Sequence, residues 1–113
     1  HILCNFSTKN LNWMNDNGKG AVYDLPTAAS KFHVYALQWT ADEGTYFIDG
    51  VEVYSYKNPR TEWGDWPFDQ KYYLILNLAM GGFGGDVDPK VNSAKLVIDW
   101  VRVYQSPEAL SGL

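Results

Sequence analysis

Carboxylates are the residues here with the widest reach for hydrolytic chemistry, and their spacing is uneven. Glu62 and Asp65 flank Trp63 in KNPRTEWGDWPFDQ (residues 57–70) and are the nearest approach to a pair. Cleaving a glycosidic bond takes two carboxyl groups roughly 5–9.5 Å apart. A Glu-x-Asp-x-Glu strand would supply that geometry, and the chain contains none. The remaining carboxylates fall mostly in turns, at Asp16, Asp42, Glu43, Asp49, Asp69, Asp86 and Asp88. Asp99 stands apart. In KLVIDWVRVYQ (residues 95–105), strand alternation gives it the face of Val97, Val101 and Val103. A charge placed there requires a partner, a set of hydrogen bonds or a metal. Neither His1 nor His33 has a nucleophile motif beside it, so a Ser/His/Asp site has little support. The residues taken alone assign no catalytic group.

The elements that must position such groups read as strands. Residues 72–85, YYLILNLAMGGFGG, open with an apolar run suited to a buried strand and end on Gly81, Gly82, Gly84 and Gly85. Those glycines free the backbone to turn sharply or to admit a ligand closely. They form no phosphate loop, because no Gly-Lys-Ser/Thr ending follows. Alternation puts Ile75, Asn77 and Ala79 on one face, with Leu74, Leu76, Leu78 and Met80 on the core face. Asn77 is then either a satisfied core amide or an amide lining a groove. Upstream, residues 1–7 read as a strand, and the Asn- and Gly-rich residues 9–20 as a loop. Trp13 and Met14 in that loop are expected to fold back onto the core, the alternative being a ligand platform. Residues 21–25, 32–40, 45–48 and 51–56 read as further strands. A turn at residues 42–44 and the strong turn signal Asp49-Gly50 join the last three into a meander. Residues 57–70 form a long loop of the kind that carries function on β scaffolds. Residues 106–113 are a tail. No helix is signalled, so the chain is read as all-β.

Composition narrows the ligand. The 113 residues suit one small domain at most, with five Trp, eight Tyr and five Phe among them. A net charge of −4 and the lack of any basic run argue against nucleic acid. No apolar stretch reaches transmembrane length and no signal peptide is recognisable, so no membrane partner is expected. The single cysteine, Cys4, excludes an internal disulfide and reads as a small buried residue. Many aromatics with little positive charge would suit a carbohydrate surface, and equally a core. The chain begins at His1 within a strand pattern, which leads us to expect further sequence upstream.

FHVYALQWT followed by FIDG, then WPFDQKYYLILNLAMGGFGG, then LVIDWVRVYQ closely resemble the C-terminal half of family 16 glycoside hydrolases, of the laminarinase and lichenase type. The resemblance covers about residues 30–105 in order and spacing. It implies a concanavalin-like, antiparallel jelly-roll β-sandwich with a cleft across its concave face. Residues 1–113 would be the C-terminal portion of one such domain, roughly half of the sandwich. It further implies a secreted, retaining endo-β-1,3(4)-glucanase whose catalytic carboxylates lie on a strand before His1, absent here. A β-glucan polysaccharide is the implied ligand, and the missing N-terminal half or another copy of the chain the implied protein partner. The open alternative is a noncatalytic glucan-binding or self-associating β module. Carried over one by one, Asn77 matches a groove-facing asparagine with Ile75 beside it, and Asn5 a sugar-contacting asparagine. Trp63 and Trp66 sit where the family has its cleft-edge loop, as stacking candidates; a Trp plugging the sandwich end is the other reading of Trp66. Asp99 matches an aspartate that helps hold a structural calcium, an ion that takes about six to eight oxygens.

Overall fold

The computed structural model describes residues 1–82 and 85–108. Gly84 of the glycine loop and the last five residues of the tail lie outside them. Two compact units divide the chain, His1–Tyr72 and Tyr73–Leu113.

The first unit is two antiparallel sheets. Strand β1 (Ile2–Phe6) pairs with β2 (Lys19–Tyr23), Asn5 lying opposite Gly20. Strands β3 (Tyr35–Trp39), β4 (Glu43–Ile48) and β5 (Val51–Lys57) form the second sheet in that order, a meander as expected. Asp49 and Gly50 turn β4 into β5 with φ of 50° and 80°, the left-handed pair that a two-residue hairpin loop requires. A register shift at Tyr46/Phe47 marks a bulge between these strands.

Period-two alternation sends Cys4 and Phe6 inward, each only 6% exposed, while Leu3 faces solvent. On the facing sheet, register aligns Trp39 with Gly44 and Gly44 with Tyr56, then Leu37 with Tyr46 and Tyr46 with Tyr54. Phe6 lands in the middle of this surface. Its ring lies 4.9 Å from that of Tyr46, 5.9 Å from Tyr56 and 5.7 Å from Phe68. A Cβ built on Gly44 would meet the Phe6 ring at 2.5 Å, so glycine there makes room for the ring. The Tyr46 hydroxyl adds a cross-sheet tie, donating to the Asn5 carbonyl at 2.8 Å.

Two expectations are corrected. Trp13 and Met14 do not fold back. They ride on a 3-10 turn (Trp13–Asn15) and are exposed. An amide network holds that turn: Asn12 accepts from the Asn15 N–H, and the Asn15 and Asn17 side chains both donate to the Asn10 carbonyl. With its polar groups satisfied locally, the loop projects the two apolar side chains outward.

The second correction concerns the Tyr73–Leu113 unit. Neither residues 73–80 nor residues 95–105 enter a β-ladder, and both faces of each run are exposed, Ile75 at 72% and Leu74 at 64%. Strand character needs a neighbouring backbone to take its N–H and C=O groups, and among the described residues of this unit none is supplied. Side-chain alternation survives locally: the Arg102 guanidinium lies 4.4 Å from the centre of the Trp100 ring, as residues two apart on one face do. Gly81 and Gly82 take positive φ, as the sharp turn after residue 80 demands.

Truncating Phe6 to Ala should cost about 3–5 kcal/mol, and Gly44→Ala about 1–3 kcal/mol through overpacking. Denaturant midpoints at fixed slope would check both, and an unchanged midpoint for Phe6→Ala would mean that the ring does not hold the sheets together.

Candidate functional site

The long loop after β5 is fixed at several points. The Asn58 backbone N–H donates to the Asp42 carbonyl at 2.8 Å, and its side-chain amide to the Ala41 carbonyl at 3.2 Å. Asn58 Oδ1 accepts from the Arg60 N–H at 2.9 Å, and the Arg60 guanidinium pairs with Asp42. Further on, the Trp39 indole donates to the Phe68 carbonyl at 2.8 Å. Between these anchors the loop bounds an open depression of about 270 Å³. Its lining is Asn58, Arg60, Thr61, Glu62, Trp63 and Asp69, with Trp66 behind them.

Asn10, which the sequence gave no reason to single out, fastens the loop that bounds this depression. Its amide nitrogen donates to both Glu62 and Asp65, the latter at 3.0 Å, while its backbone N–H donates to the Gly64 carbonyl at 3.1 Å. Asp65 accepts a second bond from the Thr61 hydroxyl. The Thr61 bond first, and the Asn10 bond after it, hold the Asp65 carboxyl below its ordinary pKa. The nearest thing to a carboxylate pair is thus a clasp: one amide joins both acids to the loop after β1. A general acid needs its pKa raised instead.

The candidate residues fall differently. Trp63 is 58% exposed and lines the depression. Trp66 is 5% exposed, its ring 5.5 Å from Tyr56 and 5.0 Å from Phe68. Buried in this cluster, Trp66 still borders the depression from behind. Its indole N–H has no acceptor among the described residues. Asn5 is half-buried on β1, and its amide donates to the Ser7 hydroxyl at 3.1 Å. Ile75, Asn77 and Asp99 belong to the Tyr73–Leu113 unit and are exposed there. Among the described residues no three acidic, histidine or cysteine side chains gather as metal ligands. No helix among them is long and apolar enough to cross a membrane.

The fold also assembles a chain of groups that are distant in sequence. Thr27 Oγ1 lies 2.9 Å from His33 Nε2, and His33 Nδ1 lies 2.7 Å from Asp49 Oδ2. Hydroxyl, imidazole and carboxylate follow in the order of an acyl-transfer triad. Yet Asp49 Oδ1 accepts from the Val34 N–H at 2.9 Å, and the Asp49 N–H donates back to the Val34 carbonyl at 2.9 Å. The carboxylate is thereby committed to the hairpin turn. The arrangement is a brace joining the 27–31 connection to the β4–β5 turn. The Val34 backbone bond first, then His33, lowers the Asp49 pKa.

The profile of the glycosyl hydrolases family 16 matches residues 8–102. The chain belongs to that family. It is 42% identical over 106 residues to a beta-glucanase of Rhodothermus marinus, covering 87% of this chain and 37% of that protein. It is 34% identical over 107 residues to the glucan endo-1,3-beta-glucosidase A1 of Niallia circulans, covering 82% and 15%. A beta-1,3-glucan-binding protein of Penaeus monodon is 36% identical over 75 residues, covering 50% and 20%. The chain thus spans little more than a third of the first of these and less of the others. No solved structure matches it significantly. In the family's terms the fold is the antiparallel jelly-roll sandwich, of which this chain is about half.

Acid should weaken the fold through both lowered carboxyls. A depressed folded pKa gives stability present above the unfolded carboxyl value, about 3.9, and lost as pH falls through the folded value. Asp49→Asn keeps an acceptor for the Val34 N–H and tolerates the left-handed turn. Its unfolding midpoint should therefore vary less with pH between about pH 2 and 5 than that of the parent. Identical pH profiles would show that the brace carries no charge-dependent stability.

Proposed function

We propose that this chain is part of a retaining endo-β-1,3(4)-glucanase and supplies one wall of its substrate cleft. The observation that carries the reading is the family match over residues 8–102 together with 42% identity to a beta-glucanase. Asn77 and Ile75 would line the groove, Asn5 would contact the sugar, and Trp63 would stack on it. The carboxylates that cut the bond would come from sequence outside these residues, since Glu62 and Asp65 are held in the Asn10 clasp. In a retaining mechanism one of those acids attacks the anomeric carbon while the other protonates the leaving oxygen. Water then resolves the glycosyl intermediate with the second acid acting as base. This chain's part is to hold the glucan in register with them, which lowers the barrier by orientation. The same reading makes the protein secreted. It makes Asp99 one ligand of a structural calcium whose other oxygens are backbone carbonyls, waters and groups outside the chain. Its protein partner would be the remainder of the domain or a second copy of the chain.

Relatives named as glucan-binding proteins, such as that of Penaeus monodon, favour a second reading in which the groove binds β-glucan without cutting it. Reducing-end release from laminarin separates the two. The first reading expects none from this chain alone, and release once it is joined to a segment bearing a Glu-x-Asp-x-Glu-like strand, with the β-anomer formed first by NMR. Binding without release from the joined protein would establish the second, and hydrolysis by the 113 residues alone would overturn the placement of the acids.

A further inference from the structure

We propose that the pocket of about 80 Å³ lined by Gln38, Thr40, Glu43 and Thr45 binds one hard monovalent cation, sodium or potassium, on the Glu43 carboxylate. The site is independent of the glucan reading. Strand register builds it. Gln38 on β3 lies opposite Thr45 on β4, and Thr45 opposite Ser55 on β5, so one polar row crosses the sheet. Glu43, two residues before Thr45, shares that face. The Thr40 hydroxyl closes the turn, accepting from the Asp42 and Glu43 N–H groups at 3.2 and 3.1 Å. Three observations carry the proposal. The first is the direction of the protons. A carboxylate only accepts, so the Ser55 hydroxyl gives its single proton to Glu43. Thr45, 3.0 Å from Ser55, then donates its own proton to the Ser55 oxygen and keeps lone pairs unused. The pocket thus presents oxygen acceptors from Glu43, Thr45 and Gln38, whose amide makes no hydrogen bond among the described residues. The second is an uncompensated charge. Glu43 is half-buried, Thr45 is only 9% exposed, and no cation among the described residues pairs with Glu43. A charge drawn out of water without a partner is costly, and a bound cation offsets that cost. The third is size and charge. A water needs about 10–15 Å³ of such space, so the pocket admits an ion with part of its water shell. One carboxylate balances one positive charge, and neutral oxygens complete the shell as carbonyls do around potassium. Lys57, opposite Glu43 in register, is the competing occupant.

Thermal unfolding of the whole chain in sodium, potassium and tetramethylammonium chloride tests this, at one ionic strength and with a chelator removing divalent ions. Equal ionic strength takes general screening out of the comparison. Sodium or potassium should raise the midpoint saturably, by a few degrees over tetramethylammonium, and the sodium NMR line should broaden with added protein. Glu43→Gln keeps an acceptor for Ser55 and loses the charge, so it should abolish both effects. Thr45→Val should raise the half-saturating sodium concentration about threefold or more, and Lys57→Met should leave it no higher. Circular dichroism checks that each variant is folded. Midpoints indifferent to which cation is present, with an unbroadened sodium line, would overturn the site. An equal response in Glu43→Gln would put the cation elsewhere and overturn it too. A response confined to Lys57→Met would mean that the Lys57 ammonium fills the pocket in the parent, which is the third way for the proposal to fail.

Discussion

Everything in the His1–Tyr72 unit depends on one ring passing through one gap. Phe6 leaves β1 and lies over Gly44 of β4, where a methyl group could not fit. Around that contact the fold lays Tyr46, Tyr54, Tyr56, Trp66 and Phe68, an aromatic cluster in place of an aliphatic core. Rings of this kind bury large areas and prefer offset or tilted meetings, and the tilted pairs here follow that preference. Because Trp66 and Phe68 belong to the loop after β5, the core itself reaches out and fixes the loop that bounds the depression. Packing and recognition surface are thus two sides of one short segment. Trp66, buried in the cluster, is bonded through its backbone N–H to the carbonyl of Trp63, whose side chain stands exposed.

How much of this was legible in the sequence depended on where each interaction partner lay. Cys4 read as a small buried residue, and the Asp49-Gly50 pair announced the hairpin, since both signals are local. The brace from Thr27 through His33 to Asp49 was not legible. Its members are distant in sequence, and a lone histidine in a strand pattern carries no mark of its partners. Asn10 was hidden for the same reason, one asparagine among several in a polar loop and joined to acids more than fifty residues away. Trp13 and Met14 misled because apolar residues in a loop are expected to seek the core, while the surrounding amides satisfied the backbone in a shape that turned them outward.

The family resemblance reached further than the residues did, and in a different direction. It named the fold and the ligand class through three motifs, two of which fall wholly or partly in the Tyr73–Leu113 unit. Yet residues 73–80 and 95–105 form no ladder among the described residues. Their alternation is a statement about neighbours, and a strand without a paired backbone cannot display it. The leucines of residues 74, 76 and 78 carry the pattern of a core face while remaining exposed. A sequence can encode one side of a contact faithfully and still leave the contact unmade. Long exposed apolar strand patterns of this kind invite pairing with another chain.

The clasp at Asn10 has a bearing on chemical ageing. One side-chain nitrogen serves two carboxylates, so the loop after β1 and the loop after β5 are joined by a group that spontaneous hydrolysis converts to an acid. That exchange swaps a single NH₂ for an oxygen and leaves the shape almost untouched, yet it turns the shared donor into a third negative charge between two others. The same residue that fastens the rim of the depression in new protein would push it open in old protein.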